Sequence, residues 1–149
     1  MPRSINSFVA LGFGIIYTLA GLAGFLVSSG VPFVGREGEP LIGFDVNGAY
    51  NIVHLLTGVG LIVASRRTDT ARSVNVGVGA VYLLLGVLGP FINGTAVDVI
   101  GLNTADHYLN LVTGAVLLAI GLFADAQARQ RRGAARLRGK AARRAARGT

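Results

Sequence analysis

Four long stretches of this sequence contain very few ionisable side chains, and this feature constrains the fold most strongly. Each stretch is about 19 to 23 residues long: Ile5 to Val27, Val46 to Ala64, Ser73 to Ile92 and Leu102 to Phe123. An α-helix rises ~1.5 Å per residue, so each stretch matches the ~30 Å hydrocarbon core of a bilayer. We therefore predict an all-α membrane protein with four transmembrane helices.

Other architectures agree less well with the sequence. A transmembrane barrel needs alternating polar and apolar residues, which these stretches lack. A soluble domain is excluded by 52% hydrophobic and only 14% charged residues. The first stretch follows Arg3 as a signal peptide would, but it is longer than a typical apolar region of that kind and no small-residue cleavage signature follows it. We expect it to be a retained helix.

The distribution of lysine and arginine predicts the orientation. Thirteen of the 14 basic residues lie near the termini or in the loop between the second and third stretches, and only Arg36 lies on the opposite side. Basic loops stay in the cytoplasm. We therefore expect a multi-pass protein of the bacterial plasma (inner) membrane, with both termini cytoplasmic and the loops at 31–45 and 93–101 outside.

The first and third stretches share one pattern. A shift of 65 positions places "GFGIIYTLAGLAG", which begins at Gly12, on "GVGAVYLLLGVLG", which begins at Gly77. Four glycines coincide, and Tyr17 coincides with Tyr82. A second shift, of 56 positions, aligns the second and fourth stretches, so the chain reads as a duplicated helical hairpin.

This second alignment contains an exchange of polar residues. It places "NIVHLLTG" at 51–58 on "HYLNLVTG" at 107–114, so that Asn51 coincides with His107. Three residues later, His54 coincides with Asn110. The two histidines of the chain thus occupy positions that hold asparagine in the other copy.

Two parallel repeats follow from these alignments. Each repeat crosses the membrane twice, so both have the same orientation and a pseudo-two-fold axis along the membrane normal is expected. The predicted organisation is a four-helix transmembrane domain at 1–125, with repeats at 5–65 and 72–124, followed by a basic cytoplasmic tail at 126–149.

Glycines that recur in both repeats are expected to mark contacts between helices. Lipid provides no hydrophobic drive for helix association, so small residues that allow close backbone approach must hold such helices together. The predicted packing glycines are Gly14, Gly21, Gly58, Gly79, Gly86 and Gly114.

The same motifs carry a family resemblance. "GxGxxYxxxGxxG" in the first and third helices, "NxxHLLTG" in the second and "NTADHYLNLVTG" at the start of the fourth resemble small bacterial membrane proteins of the domain of unknown function 4383 family. The resemblance covers roughly Phe8 to Phe123. It implies a four-helix membrane protein of a kind common in actinobacteria, with no established activity, and a histidine where this chain has Asn110.

Polar side chains inside the predicted helices form a candidate site. Asn51 and His54 lie about 8 and 12 Å below the outer boundary at ~1.5 Å per residue, and the second repeat places its pair at the same depths. We predict hydrogen bonds across the repeats, joining Asn51 to His107 and His54 to Asn110. The cluster is completed by two tyrosines that need partners in His54, Asn110, Thr18 or the backbone: Tyr17 and Tyr82.

This polar cluster has two interpretations. It is either a structural clamp that holds the helices together or a functional site for ligand binding, proton relay or a metal. A metal site is disfavoured because Asp106 and His107 are adjacent and cannot share a helix face. With no cysteine and no Ser-His-Asp arrangement, we expect no catalytic residues, no metal and no cofactor.

The C-terminal region is strongly basic. Residues 127–149 hold nine basic side chains and no acid. Such a segment either binds anionic headgroups at the cytoplasmic face or is a disordered tail that only fixes orientation, and the absence of aromatic residues argues against nucleic acid. If it is helical, six basic residues form one stripe: Arg129, Arg132, Arg136, Lys140, Arg143 and Arg147.

These features favour a non-enzymatic membrane protein. A scaffold, an accessory subunit or a lipid-associated module fits them, with membrane lipids, other membrane proteins or a second copy of the chain as partners. The alternative is a small transporter or ligand-binding protein that uses the intramembrane histidines and asparagines.

Overall fold

The computed structural model describes residues 4–95 and 98–125, together with 130, 133, 134 and 137–139. The described part is mostly helical. Its elements in chain order are α1 (Ile5–Val27), a short 3-10 turn (Ser28–Gly30), β1 (Glu39–Leu41), β2 (Phe44–Val46), α2 (Gly48–Ala64), α3 (Thr68–Ile92) and α4 (Thr104–Phe123).

Three of these helices are long and apolar enough to cross a membrane. The candidate spans are Ile5–Gly30, Thr68–Ile92 and Thr104–Phe123. The fourth helix, α2, is apolar but has 17 residues, which corresponds to roughly 26 Å. It is shorter than predicted because Val46 belongs to β2 and Asn47 caps the helix. The three long apolar helices are compatible with a multi-pass membrane protein.

A small β-hairpin interrupts the otherwise helical chain, and the all-helical prediction missed it. β1 and β2 pair in antiparallel fashion, with Glu39 opposite Val46 and Leu41 opposite Phe44. The turn is made by Ile42 and Gly43, at φ of 53° and 89°. Two residues with positive φ match the twist of a tight hairpin, although a β-branched residue adopts this conformation only under strain.

Asparagine side chains cap the starts of α2 and α4, the two helices that follow the longer loops. The Asn47 side chain accepts a 2.9 Å hydrogen bond from the backbone of Tyr50 at the start of α2. At the start of α4, Asn103 accepts from the backbone of Asp106, whose carboxylate accepts from the backbone of Asn103. These reciprocal bonds satisfy amide groups that a helix start leaves free.

The helices pack as two antiparallel pairs, α1 with α2 (the first helix pair) and α3 with α4 (the second helix pair). The starts of α2 and α4 lie with the two strands, at what we call the β-hairpin end. There, Val46, Tyr50 and Leu102 form an apolar cluster. At the opposite end, Ala10, Leu61 and Ala71 form another cluster.

Two sequence-based predictions, the bounds of the second repeat and the basic stripe of the tail, stay predictions. The second repeat was expected to begin at 72, but α3 already begins at Thr68. The six basic residues of the predicted tail stripe lie outside the described residues: Arg129, Arg132, Arg136, Lys140, Arg143 and Arg147.

A polar site between apolar helices

Glycines bring α1 and α2 close together at three of the predicted packing positions. A Cβ atom on Gly14 would lie 2.9 Å from the carbonyl oxygen of Gly58. One on Gly21 would lie 2.8 Å from the carbonyl oxygen of Asn51, and one on Gly58 would overlap Thr18. No larger residue fits these positions without separating the helices.

The second helix pair has the same contacts at matched positions. A Cβ atom on Gly79 would lie 3.0 Å from the carbonyl oxygen of Gly114. One on Gly86 would lie 2.7 Å from the backbone nitrogen of Leu111, and one on Gly114 would overlap the backbone of Leu83. Glycines therefore allow close backbone approach within each helix pair.

Two tyrosine–threonine hydrogen bonds connect the helix pairs. The hydroxyl of Tyr17 on α1 donates to Oγ1 of Thr113 on α4, at 3.1 Å. The hydroxyl of Tyr82 on α3 donates to Oγ1 of Thr57 on α2, at 3.2 Å. The two tyrosine rings meet edge to face, with centroids 5.3 Å apart. The sequence left His54, Asn110, Thr18 and the backbone open as partners, and the structure instead gives each tyrosine a threonine of the other helix pair.

A third bond joins the pairs nearer the β-hairpin end. The Tyr50 hydroxyl donates to Oδ1 of Asp106 at 2.9 Å, and both residues are buried. The sequence contained a signal for this contact, because the shift that aligns the capping residues Asn47 and Asn103 also aligns Tyr50 with Asp106. The prediction considered Asp106 only as a metal ligand and missed this role.

The predicted asparagine–histidine pairs do not form. Nδ2 of Asn51 donates to the hydroxyl of Ser28 at 3.0 Å. Both ring nitrogens of His54 and of His107 are buried with no hydrogen-bond partner among the described residues, and so is Nδ2 of Asn110. The structure therefore contradicts the clamp between the repeats in the form in which it was predicted.

Space within each helix pair explains this outcome. A Cβ atom on Gly24 of α1 would overlap the amide of Asn51, and one on Gly89 of α3 would overlap the ring of His107. The absent side chains leave room inside each pair, and the polar side chains of α2 and α4 occupy it. Asn51 and His107 thus contact their own pair instead of each other.

His54 occupies the interior between the pairs. It is 4% exposed. Its ring centroid lies 4.3 Å from that of Tyr50 and 5.0 Å from that of Tyr17. The imidazole is therefore enclosed by aromatic rings, while its nitrogens keep their capacity for hydrogen bonds.

A pocket of about 490 Å³ lies between α3 and α4, near the β-hairpin end. Of the four predicted asparagines and histidines, His107 lines it. The remaining lining residues come from the second half of α3, from the residue that follows it and from the first half of α4: Gly86, Val87, Pro90, Asn93, Thr104, Tyr108 and Leu111.

The opposite end is closed by a network that the sequence did not indicate. The carboxylate of Asp125 accepts hydrogen bonds from the backbone of Ile5 and from the backbone and side chain of Asn6. Burial alone would raise the pKa of Asp125, but these hydrogen bonds outweigh it and hold the pKa below its ordinary value. Asn75 donates in turn to Asn6, at 3.1 Å. The end of α4 therefore caps the start of α1.

Among the residues that the structure describes, no group of three or more histidine, cysteine, aspartate or glutamate side chains is placed to hold a metal ion.

Comparison with known proteins gives one finding. The sequence model of the family described as "Domain of unknown function (DUF4383)" matches residues 8–123. This range agrees with the resemblance predicted from the repeated motifs, and that prediction is confirmed. No curated protein and no solved structure gives a match.

Proposed function

We propose that this chain, which belongs to the DUF4383 family, is a four-span plasma-membrane protein with a non-enzymatic role as a scaffold, accessory subunit or lipid-associated module. Bacterial origin, cytoplasmic termini and the two-repeat organisation are parts of the same proposal. The observation that carries it is the inside-out distribution of side chains.

Most of the large apolar side chains on the helices are exposed, and many of the buried side chains are small or polar. Leu26 on α1 is 84% exposed, Leu56 on α2 is 71% exposed and Phe91 on α3 is 77% exposed. Asn75 and Asn110, by contrast, are almost completely buried. Such a surface is favourable only against lipid or another apolar partner.

The fourth span is supported by the position of α2. This helix runs beside α1 from the Gly24–Asn51 contact to the Gly14–Gly58 contact, and it exposes apolar residues such as Leu56 on its outer face. A helix held alongside a span at this range of depths lies in the same apolar layer, even though α2 has 17 residues and α1 has 23.

The two-repeat organisation is supported by matched contacts. Gly14 contacts Gly58 as Gly79 contacts Gly114. The crossed bonds from Tyr17 and Tyr82 also occupy corresponding positions. Two copies of one hairpin related by an axis along the membrane normal account for these pairs.

Thiol labelling tests the architecture. The chain has no cysteine, so single cysteines give a signal without background. In intact cells, Glu37→Cys in the loop between α1 and α2 should react with an impermeant maleimide, and Thr70→Cys at the start of α3 should react only after lysis. Both positions are exposed, so equal labelling in intact cells would contradict the orientation.

Ligand binding or transport is the second candidate, and the enclosed imidazole of His54 favours it. A buried polar group without a partner carries a free-energy cost of roughly 1–3 kcal/mol, which a bound molecule would remove. The rate of proton exchange at the ring NH of His54, measured by NMR in micelles, distinguishes the scaffold from the ligand-binding or transport protein. Slow exchange means a dry core and supports the scaffold, whereas rapid exchange with water supports a ligand path.

A further inference from the structure

The pocket between α3 and α4 holds a polar side chain whose hydrogen-bonding capacity is unused. His107 is 6% exposed and lines the pocket, and neither ring nitrogen has a partner among the described residues. A neutral imidazole offers one donor and one acceptor. Buried polar groups in native proteins are almost always satisfied, so this one points to a molecule that the chain itself does not supply.

A proline removes a helical hydrogen-bond donor beside the same pocket. Pro90 lies inside α3 and has no N–H, so the helical hydrogen bond to the carbonyl of Gly86 cannot form. Both residues line the pocket. In α1, Phe25 stands at the matched position, and its N–H keeps this bond available. The loss of this donor is therefore specific to the second helix pair.

The matched region of the first helix pair satisfies its own polar group. Asn51 there corresponds to His107, and Ser28 corresponds to Asn93. Asn51 donates to Ser28 at 3.0 Å, whereas His107 and Asn93 both border the pocket. The first helix pair thus has an internal hydrogen bond at this position, and the second helix pair has an open pocket.

The lining determines the chemistry of the occupant. The eight lining residues include no lysine, arginine, aspartate or glutamate, so a charged head would be buried without a counter-charge. Tyr108 and Val87 are 64% and 51% exposed, so the pocket opens sideways, where lipid surrounds the proposed spans. Leu111 adds an apolar wall.

From these features we propose that the pocket binds the uncharged, hydroxyl-bearing head of a membrane-dissolved amphiphile, of which 1,2-diacylglycerol is the simplest example. A hydroxyl both donates and accepts, so it matches the carbonyl of Gly86 together with the imidazole of His107. Because both ring nitrogens of His107 are buried, the ring must rotate toward the pocket for the hydroxyl of the bound head to reach it. The inference rests on the proposed membrane insertion, which provides the lateral access.

Histidine NMR of the full chain in detergent micelles tests this proposal. The chain has two histidines, so selective ring labelling gives one signal from the pocket and one internal control. Titration with 1,2-dioctanoylglycerol should shift the His107 signal in a saturable manner and leave that of His54 unchanged. The His107→Asn variant, which copies the residue of the first helix pair, assigns the signals.

Two valines on α3 provide a matched pair of variants. Val87 lines the pocket, while Val81 is similarly exposed at 56% and does not line it. Val87→Phe should fill the recess and weaken binding by about ten-fold, the effect of losing one good contact, and Val81→Phe should leave affinity unchanged. Melting temperatures of both variants establish that they fold.

Other probes examine the head chemistry. Dioctanoyl phosphatidic acid, with a charged head, and a decyl benzoquinone, with acceptors only, should each bind at least several-fold more weakly than the diacylglycerol. Equal binding of either probe, a shift of both histidines alike, or no saturable shift would overturn the proposal. Thiol labelling tests the membrane architecture independently of this titration. If the labelling is as expected but the diacylglycerol does not bind, the proposed ligand is contradicted and the proposed architecture is not.

Discussion

The hydroxyl of Tyr50 donates a 2.9 Å hydrogen bond to the carboxylate of Asp106, and these residues stand at matched positions of α2 and α4. Asp106 also accepts from the backbone of Asn103 and thereby caps α4. The buried carboxylate of Asp106 thus caps the start of α4 and also bonds α4 to α2 of the first helix pair. The two helix pairs are joined here by different residues at matched positions, tyrosine on α2 and aspartate on α4.

Removal of the Tyr50 hydroxyl should destabilise the protein. Tyr50→Phe leaves a buried carboxylate oxygen without its donor, and the loss of such a bond costs about 1.5–3 kcal/mol. Unfolding in mixed micelles with increasing denaturing detergent measures this cost. Tyr108→Phe is the matched control, since Tyr108 is 64% exposed, and a similar loss in both variants would contradict the role of the bond.

Glycine positions within α3 should differ sharply in their tolerance of alanine. A Cβ atom on Gly79 would lie 2.5 Å from the backbone nitrogen of Leu118, whereas one on Gly77 would meet nothing within 4 Å. Gly79→Ala should therefore cost about 1–3 kcal/mol, and Gly77→Ala should be neutral or stabilise the helix by up to ~1 kcal/mol. Equal melting temperatures for the two variants would mean that α3 and α4 do not pack through Gly79.

The crossed tyrosine bonds should be energetically coupled to their threonines. A double-mutant cycle with Tyr17→Phe and Thr113→Val should give a coupling energy of about 0.6–1.7 kcal/mol, the range for hydrogen bonds inside membrane proteins. The cycle with Tyr82→Phe and Thr57→Val should give a similar value, because the contacts are matched. Additive effects in both cycles would show that these hydroxyls do not bond.

The asparagine and histidine of the exchanged positions should behave independently. Asn51 donates to Ser28, so Asn51→Leu should couple with Ser28→Ala in the free energy of unfolding. Asn51→Leu and His107→Leu should be additive within ~0.5 kcal/mol, as expected of residues without a shared partner. Strong coupling between Asn51 and His107 would restore the pairing that the structure contradicts.

The carboxylate that caps α1 should make stability depend on pH. The pKa of Asp125 is lowered in the folded protein, so its contribution is fully present above the ordinary value of ~3.9. This contribution disappears as the pH falls through the lower folded pKa. The melting temperature of the wild type should exceed that of Asp125→Asn at pH 7, and the difference should shrink towards pH 3.

A control substitution separates this effect from general acid sensitivity. Glu37→Gln, in an exposed loop, should leave the melting temperature unchanged at pH 7. A constant difference between wild type and Asp125→Asn across the whole pH range would contradict the assigned cap, because protonation would then have no effect on it.

The sequence by itself determined the apolar helices, the pairing glycines and the family. Hydropathy and helix length are local properties of the sequence. Glycine recurs at matched positions of the first and third stretches, as at Gly14 and Gly79, where a Cβ atom would meet the neighbouring helix. The capped starts of α2 and α4 follow from the same local chemistry, because the side chain of Asn47 or Asn103 bonds a backbone amide three residues ahead.

Only the tertiary structure decided which polar groups meet. Helical period and depth place a side chain on a face and at a level, but the partner depends on how far each helix is rotated and on the space its neighbour leaves. Gly89 leaves room inside the second pair, so His107 lies against α3 and not against Asn51. The bond from Tyr17 to Thr113 likewise depends on the relative placement of α1 and α4. Because the packing of whole helices sets the distance between the two hydroxyls, neither segment alone encodes this bond.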